Sequence, residues 1–171
     1  MAYGRFAAMI VTSTVVMYGL MYLNTFSLDH VWFSQTRLWM ALVMGATMAV
    51  IMLGYMLNMY RSYLTNAIIF AVSVVVFAGA LALVRTQATV GDVAYMKAMI
   101  PHHSIAILTS ERAQIRDLRV RELADAIIQA QVREITEMRQ LIGELERNPV
   151  LADAPVLLPS VRTSAAPSAV R

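Results

Sequence analysis

Residues 66–84, NAIIFAVSVVVFAGALALV, contain no charged side chain. A helix of about 20 apolar residues is long enough to cross the hydrocarbon core of a bilayer. The stretch therefore predicts a transmembrane helix. Two further uncharged stretches precede it, at residues 6–26 and 38–60. We predict an all-α protein in which these three stretches form a transmembrane region within residues 1–86.

The composition supports a membrane region followed by a polar region. Hydrophobic residues make up 58% of the 171-residue chain and charged residues only 15%, which is too apolar for an ordinary soluble domain. Residues 1–84 contain four charged side chains, Arg5, Asp29, Arg37 and Arg61. No run of Lys and Arg marks a nucleic-acid surface. We therefore expect membrane lipid, and no nucleic acid, as a partner.

The distribution of charges between the stretches predicts an orientation. The segments that contain Arg5 and Arg61 carry no acidic residue, whereas those around Arg37 and Arg85 do. Cytoplasmic segments are enriched in Lys and Arg. We expect an integral protein of a bacterial inner membrane with a cytoplasmic N-terminus. Three crossings would then place the polar region outside the cytoplasm, as a periplasmic domain.

The polar region, residues 87–147, has the pattern of a helical hairpin. Thr89 is a candidate N-cap for the first helix, and Pro101 lies inside that helix, where a proline removes one hydrogen bond and favours a kink. Asp117 is placed to cap the second helix, and Asn148-Pro149 to end it. A single hairpin forms half of a ferritin-like four-helix bundle, so we predict a homodimer or another homo-oligomer. We expect Ile128 and Ile135 at its interface. Residues 148–171, rich in Pro, Ala and Ser, predict a flexible tail.

Polar and sulfur-containing side chains follow the seam between the two predicted helices. Residues 96–103, MKAMIPHH, place two methionines at helical spacing before two histidines. Folding the chain about residue 116 would put His103 opposite about position 129 and Met99 opposite about position 133. The second helix contributes Gln131, Glu134 and Met138 to this region. Polar groups inside a helical seam are destabilising unless they are paired or liganded.

The residue types in this seam favour copper. Thioether sulfur and imidazole nitrogen suit Cu(I), and the chain has no cysteine to compete as a thiolate ligand. The candidate ligands are His103, His102, Met99, Met96 and Met138, with Glu134 as a ligand or as polar support. An alternative for each residue stays open. His103 would also fit a hydrogen-bonded core position, and the methionines would also serve as packing residues.

Residues 92–145 resemble a family of ferritin-like helical proteins, known as domain-of-unknown-function family three hundred and five. The similarity is carried by Asp92, Met96, Met99-Ile100-Pro101-His102-His103, Ala106, Asp117-Leu-Arg-Val120 and Gln131-x-x-Glu134-Ile135-x-x-Met138. Members of that family are largely secreted, periplasmic or membrane-anchored, and some are associated with copper binding and tolerance. The resemblance therefore implies a copper-related role outside the cytoplasm. Many members have two hairpins in one chain, whereas this chain has one.

The pattern favours a binding protein over an enzyme. No nucleophile elbow, phosphate loop or zincin motif is present, and the Glu-x-x-His pairs of di-iron bundles are absent. We predict a membrane-anchored protein that buffers Cu(I), provides tolerance to it or delivers it. The alternative is a metal-free assembly module that pairs with itself or with another membrane protein. A third hypothesis, copper passage along Met40, Met44, Met48, Met52 and Met56, is less favoured because a four-residue step winds around a helix.

Overall fold

The computed structural model describes residues 2–151 and 153–157. These residues form five α-helices and no strand, which confirms the all-α prediction for the part of the chain described. The helices are α1 (Ala2–Leu20), α2 (Gln35–Tyr55), α3 (Tyr63–Thr86), α4 (Asp92–Arg112) and α5 (Leu118–Arg147), with a 3₁₀ turn at Leu28–His30 between α1 and α2.

Two of the described helices, and not three, are long and apolar enough to cross a membrane. They are α2, with 21 residues, and α3, with 24. The prediction of a membrane span at residues 6–26 is wrong in its bounds, because α1 begins at Ala2 and ends at Leu20. The helix thereby takes in the charge of Arg5 and loses the apolar residues that follow Leu20. Its centre is also polar, with Thr12, Ser13 and Thr14 in succession.

Helix α1 lies antiparallel along α2, with its first turn near the connection between α2 and α3. The hydroxyl of Tyr3 is 2.9 Å from Asn66 Oδ1, and Phe6 packs against Tyr60. Farther along, Gly45 of α2 lies directly against the side chain of Thr14, and its lack of a Cβ permits this close approach. Helices α1 and α3 both pack on α2, and they meet each other through the contact of Tyr3 with Asn66.

Helices α4 and α5 are antiparallel and share an apolar core. Its buried residues are Met96, Ile100, Ile107, Ile135 and Ile142. The predicted cap is confirmed at α5, where the Asp117 side chain accepts a hydrogen bond from the backbone N–H of Arg119. The prediction of Thr89 as the N-cap of α4 is wrong.

Gly91 occupies that N-cap position instead. The displacement follows from the end of α3, where Gln87 adopts a left-handed conformation and the chain turns before α4 begins. Helix α4 continues through Pro101, and α5 ends at Arg147, directly before Asn148. We refer to α4 and α5 together as the α4–α5 pair.

The α4–α5 pair docks on the segment between α1 and α2. Ser104 of α4 is completely buried, and its Oγ accepts a hydrogen bond from the backbone N–H of Phe26 at 2.7 Å. Arg139 of α5 donates to the carbonyl oxygen of Asp29 at 2.6 Å. The pair therefore lies beside the first turn of α2. The connection between α2 and α3, which contains Arg61, is at the opposite end of α2.

The predicted tail is described in part. Residues 148–151 and 153–157 are exposed and form no helix. Residues 152 and 158–171 lie outside the described residues, so the prediction of a flexible tail stays a prediction there.

Candidate metal site

A cavity of about 450 Å³ opens between α4 and α5. Its walls combine thioether, imidazole, carboxylate and apolar side chains. The lining residues are Asp92, Tyr95, Met96, Met99, His103, Glu134, Glu137, Met138, Leu141 and Leu145. The helical pattern brings them together because positions 92, 96, 99 and 103 fall on one face of α4, and 134, 138, 141 and 145 on one face of α5.

Five of the six predicted site residues line this cavity. Met96 is buried, and Met99, Met138, His103 and Glu134 are partly buried. The side chain of His103 is 13% exposed and that of Glu134 is 42% exposed, so the site is open to solvent on the glutamate side.

His102 is the predicted residue that the structure leaves outside the cavity. Its side chain is exposed, and its ring centroid lies 6.3 Å from that of His103. Adjacent helical residues point about 100° apart, so the two rings cannot share one cavity wall. Gln131, expected in the same seam, does not line the cavity either.

Both nitrogens of the His103 ring are engaged. Nδ1 lies 3.0 Å from the carbonyl oxygen of Met99, and Nε2 lies 2.8 Å from Oε2 of Glu134. A carbonyl oxygen can only accept, so Nδ1 carries a hydrogen and donates it to Met99. When the ring is charged, Nε2 and the Glu134 carboxylate share one further proton. These two bonds fix the ring with Nε2 directed across the cavity toward α5.

The rim of the cavity is negatively charged. Asp92 and Glu137 line it together with Glu134, and no Lys or Arg does. A concave surface with one sign of charge raises the local concentration of the opposite ion. The sequence pattern did not assign Glu137 or Tyr95 to the site. The signal for Glu137 was its position three residues after Glu134, one turn along the same helix.

The donor set fits a soft cation better than a hard one. Among the described residues, no group of three or more His, Asp and Glu side chains is placed to hold a metal ion. The cavity instead combines three thioethers with one imidazole and three carboxylates, of which Glu134 contacts the imidazole. Thioethers and imidazole are the side chains that bind Cu(I) in the absence of cysteine.

A second polar contact lies on a face of α4 about 100° from that of His103. His30 Nδ1 is 2.8 Å from Ser104 Oγ, which also accepts the bond from Phe26. Burial lowers the pKa of His30 below its ordinary value of 6.5, the positive charge of Arg139 lowers it further, and Asp29 partly opposes both effects. The sequence does indicate a polar contact at Ser104, because this polar residue lies between the apolar residues Ile100 and Ile107 on the same side of the helix.

The segment that contains the cavity is similar to known proteins. Residues 82–166 match the profile of a family described as "Domain of unknown function (DUF305)", so the family resemblance of residues 92–145 is confirmed. The chain is also similar to the uncharacterized protein L153 of Acanthamoeba polyphaga mimivirus, with 43% identity over 63 residues. That match covers 36% of this chain and 41% of the viral protein, so the chain spans less than half of this curated relative. No solved structure matches the chain.

The docking of the α1–α2 segment on α4 should weaken in acid. Because the pKa of His30 is lowered in the folded state, neutral His30 stabilises the docked form. This contribution is complete above the ordinary pKa of 6.5 and is lost as the pH falls below 6.5 toward the lowered value. Hydrogen exchange at the Phe26 amide, corrected for the intrinsic pH dependence of exchange, should show falling protection below that pH.

A His30→Gln variant serves as the control for this prediction. Glutamine is uncharged at every relevant pH, so protection at Phe26 should no longer depend on pH. The same acid-induced loss in both proteins would show that another group is responsible.

Proposed function

We propose that this protein is a membrane-anchored copper-binding protein that holds Cu(I) in the cavity of the α4–α5 pair. The role is buffering, tolerance or delivery, and not catalysis. The observation that carries the proposal is the convergence of three methionines, His103 and Glu134 on one cavity with an acidic rim. Each methionine alone would be explained by packing, but packing does not require an imidazole and three carboxylates beside them.

The orientation of His103 supports a ligand role. Histidines that bind a metal commonly donate the hydrogen of their other nitrogen to a carbonyl or carboxylate, which fixes the ring and its tautomer. In His103 the bond from Nδ1 to the Met99 carbonyl has this function. Nε2 is the nitrogen that would bind copper, together with the thioethers of Met96, Met99 and Met138.

Glu134 gives the site a state that is stable without metal. In that state its carboxylate holds Nε2 of His103 at 2.8 Å. Copper at Nε2 would displace the shared proton, so binding should release a proton and weaken in acid. The freed carboxylate stays at the rim, where its negative charge stabilises a bound cation.

The exposure of the membrane helices supports an anchored protein. Only 11% of the most apolar 18-residue stretch of α3 is buried within the protein. Val72, Val74 and Val75 of that helix are more than half exposed. Full burial of one such side chain contributes about 1.5–3 kcal/mol, so an aqueous environment would strongly disfavour this surface.

We further propose that the α4–α5 pair lies in the periplasm of a bacterial inner membrane. Arg5 and Arg61 are at the end of the helices where Tyr3 contacts Ser62, and the segments around them lack acidic residues. The α4–α5 pair is at the other end. The bias of Arg toward the cytoplasm therefore supports this orientation whether or not α1 crosses the bilayer.

A metal-free assembly module is the second candidate function. The bond between His103 and Glu134 favours it, because it satisfies the most polar pair of the seam without any metal. Such a module would pair with itself or with another membrane protein. Substitution of the cavity methionines distinguishes the two functions, since only the copper site needs their sulfur atoms.

A homo-oligomer is also proposed, with one exposed side of α5 as the contact surface. Val120 and Leu123, three residues apart on that side, are 49% and 62% exposed. The residues that the sequence suggested for the interface have another role: Ile135 is buried between α4 and α5, and Ile128 packs against the same core. The contact surface therefore has to lie away from Ile128 and Ile135.

Replacement of Met138 by leucine should weaken Cu(I) binding by about tenfold or more, which is the lower range for disturbed metal sites. Leucine has a similar volume and polarity, so the free energy of unfolding should change by less than about 1.5 kcal/mol.

His103→Ala should weaken binding more at neutral than at acid pH, because acid already protonates the imidazole. Competition titration with a Cu(I) chelator measures both effects.

Met59→Leu and His102→Ala are the matched controls, since both residues are exposed and lie outside the cavity. Neither substitution should change the Cu(I) affinity. Wild-type affinity in both Met138→Leu and His103→Ala would rule out the copper site and leave the assembly module as the function.

Topology can be tested with fusion proteins. A reporter that is active only in the cytoplasm should be silent when fused after Arg171 and active when fused after Arg61. A reporter that is active only in the periplasm should give the reverse pattern. Cytoplasmic activity at Arg171 would contradict the proposed orientation and would exclude a periplasmic copper role.

Cysteine cross-linking tests the oligomer, because the chain has no native cysteine. Single cysteines at Val120 and Leu123 should form disulfide-linked dimers under mild oxidation in membranes. A cysteine at Ile135, which is 3% exposed, should not. Absence of cross-linking at the two outer positions, in a protein that is monomeric in mild detergent, would contradict self-association through this face.

A further inference from the structure

We propose that the cleft between α1, α2 and α3 binds one phospholipid with an anionic headgroup, drawn from the leaflet that faces the α4–α5 pair. Its acyl chain would occupy the cleft, and its headgroup would contact Arg37. This site is independent of the copper site and shares no residue with it.

The cleft lies between α1 and α3 because both helices pack along α2, while their side chains meet at the far end, where Tyr3 contacts Asn66. Its floor is formed by small residues of α2, with Ala41, Gly45 and Ala49 at four-residue spacing. Small side chains there leave open space that longer ones would fill. The cavity has a volume of about 480 Å³, within the range of about 300–1,000 Å³ that is usual for ligand pockets.

The walls of the cleft suit a hydrocarbon chain. Most lining side chains are aliphatic, among them Ile10, Leu42 and Val76. The hydroxyl groups of Thr14 and Tyr18 are already paired inside the protein. Thr14 donates to the carbonyl of Ile10 at 2.8 Å, and Tyr18 lies 3.1 Å from the hydroxyl of Tyr22. An apolar ligand therefore leaves neither of these two hydroxyl groups without a partner.

Arg37 supplies a positive charge at the end of the cleft. Its neighbour Leu38 lines the cleft, and its guanidinium carbon lies 4.4 Å from the ring centroid of Tyr22, the partner of Tyr18. The Arg37 guanidinium donates a hydrogen bond to the carbonyl oxygen of Met21 and forms no salt bridge with any of the described residues. A phosphate group of the adjacent leaflet would supply the missing negative charge.

Charge favours a lipid over a second copy of the chain in this position. Residues 1–86 contain a single acidic side chain, Asp29, and its segment is already engaged by Arg139 of α5. A membrane helix from a second copy would bring no carboxylate to Arg37. An anionic headgroup and its attached acyl chain match both the charge and the apolar cleft.

Native mass spectrometry of the full-length protein tests the proposal. The protein is equilibrated in detergent with phosphatidylglycerol and phosphatidylcholine of identical acyl chains, and the retained lipids are counted. The wild type should retain one lipid, with about a fivefold preference for phosphatidylglycerol, the factor expected for one cationic side chain. Arg37→Gln should remove the preference and keep some retention of both lipids.

Two matched pairs of variants complete the test. Val76→Trp fills the cleft and should abolish retention, whereas Val75→Trp, at a residue that is 71% exposed and outside the cleft, should not. Arg85→Gln removes a charge at the same end of the helices and should keep the preference. Equal retention of both lipids by the wild type, or unchanged preference in Arg37→Gln, would overturn the proposal. Loss of a dimer, and not of lipid, in Val76→Trp would identify the cleft as a protein interface and would also overturn it.

Discussion

The contact between the isoleucines of α4 and those of α5 is the constraint on which the candidate site depends. Ile100 and Ile107 pack against Ile135 and Ile142, and all four are almost fully buried. Each such side chain stabilises the pair by about 1.5–3 kcal/mol through burial. A shift of one helix against the other by a single turn would expose them. The register that buries them is the one that brings Nε2 of His103 to Glu134 and places Met138 beside Met96.

Helix α4 connects the candidate site with the membrane helices through two adjacent residues. His103 points into the cavity, and Ser104 points to the segment between α1 and α2, where it meets Phe26 and His30. The two side chains lie about 100° apart on the helix, so one short stretch takes part in both contacts. Proximity of the cavity to the membrane helices is thus a property of α4 itself, and it supports a protein that handles its ligand close to the membrane surface.

Some local features were predictable from the sequence, and the register was not. Asp117 was identified as a cap because capping depends mainly on neighbouring residues, whereas the cap of α4 is Gly91 and not Thr89 because the chain turns at Gln87 before that helix begins. The partner of His103 was expected near position 129 and is Glu134. Counting residues from the turn fails here, because the connection between Arg112 and Leu118 is not a symmetric turn and side-chain packing sets the offset. Glu134 was still among the candidates, since its face of the helix and the family resemblance both included it.

The remaining differences between the predictions and the structure arise from contacts between segments that are distant in the sequence. The bond between His30 and Ser104 joins residues 74 positions apart, and no periodic pattern links them. The methionines of α2 show the same limit. Met40 is exposed, whereas Met52 and Met56 pack against the core formed by Phe6 and Leu53. Their regular spacing does not produce one continuous row, so the structure gives no support to a methionine path through the membrane.

X-ray absorption at the copper edge, on protein purified from copper-supplemented cells, tests whether the cavity of the α4–α5 pair holds copper. We expect one Cu(I) per chain, bound by two or three sulfur atoms and one imidazole nitrogen, since those donors line the cavity. The sulfur contribution should decrease in Met138→Leu. Protein without copper, or copper bound by nitrogen and oxygen alone, would contradict a Cu(I) site formed by the methionines and His103.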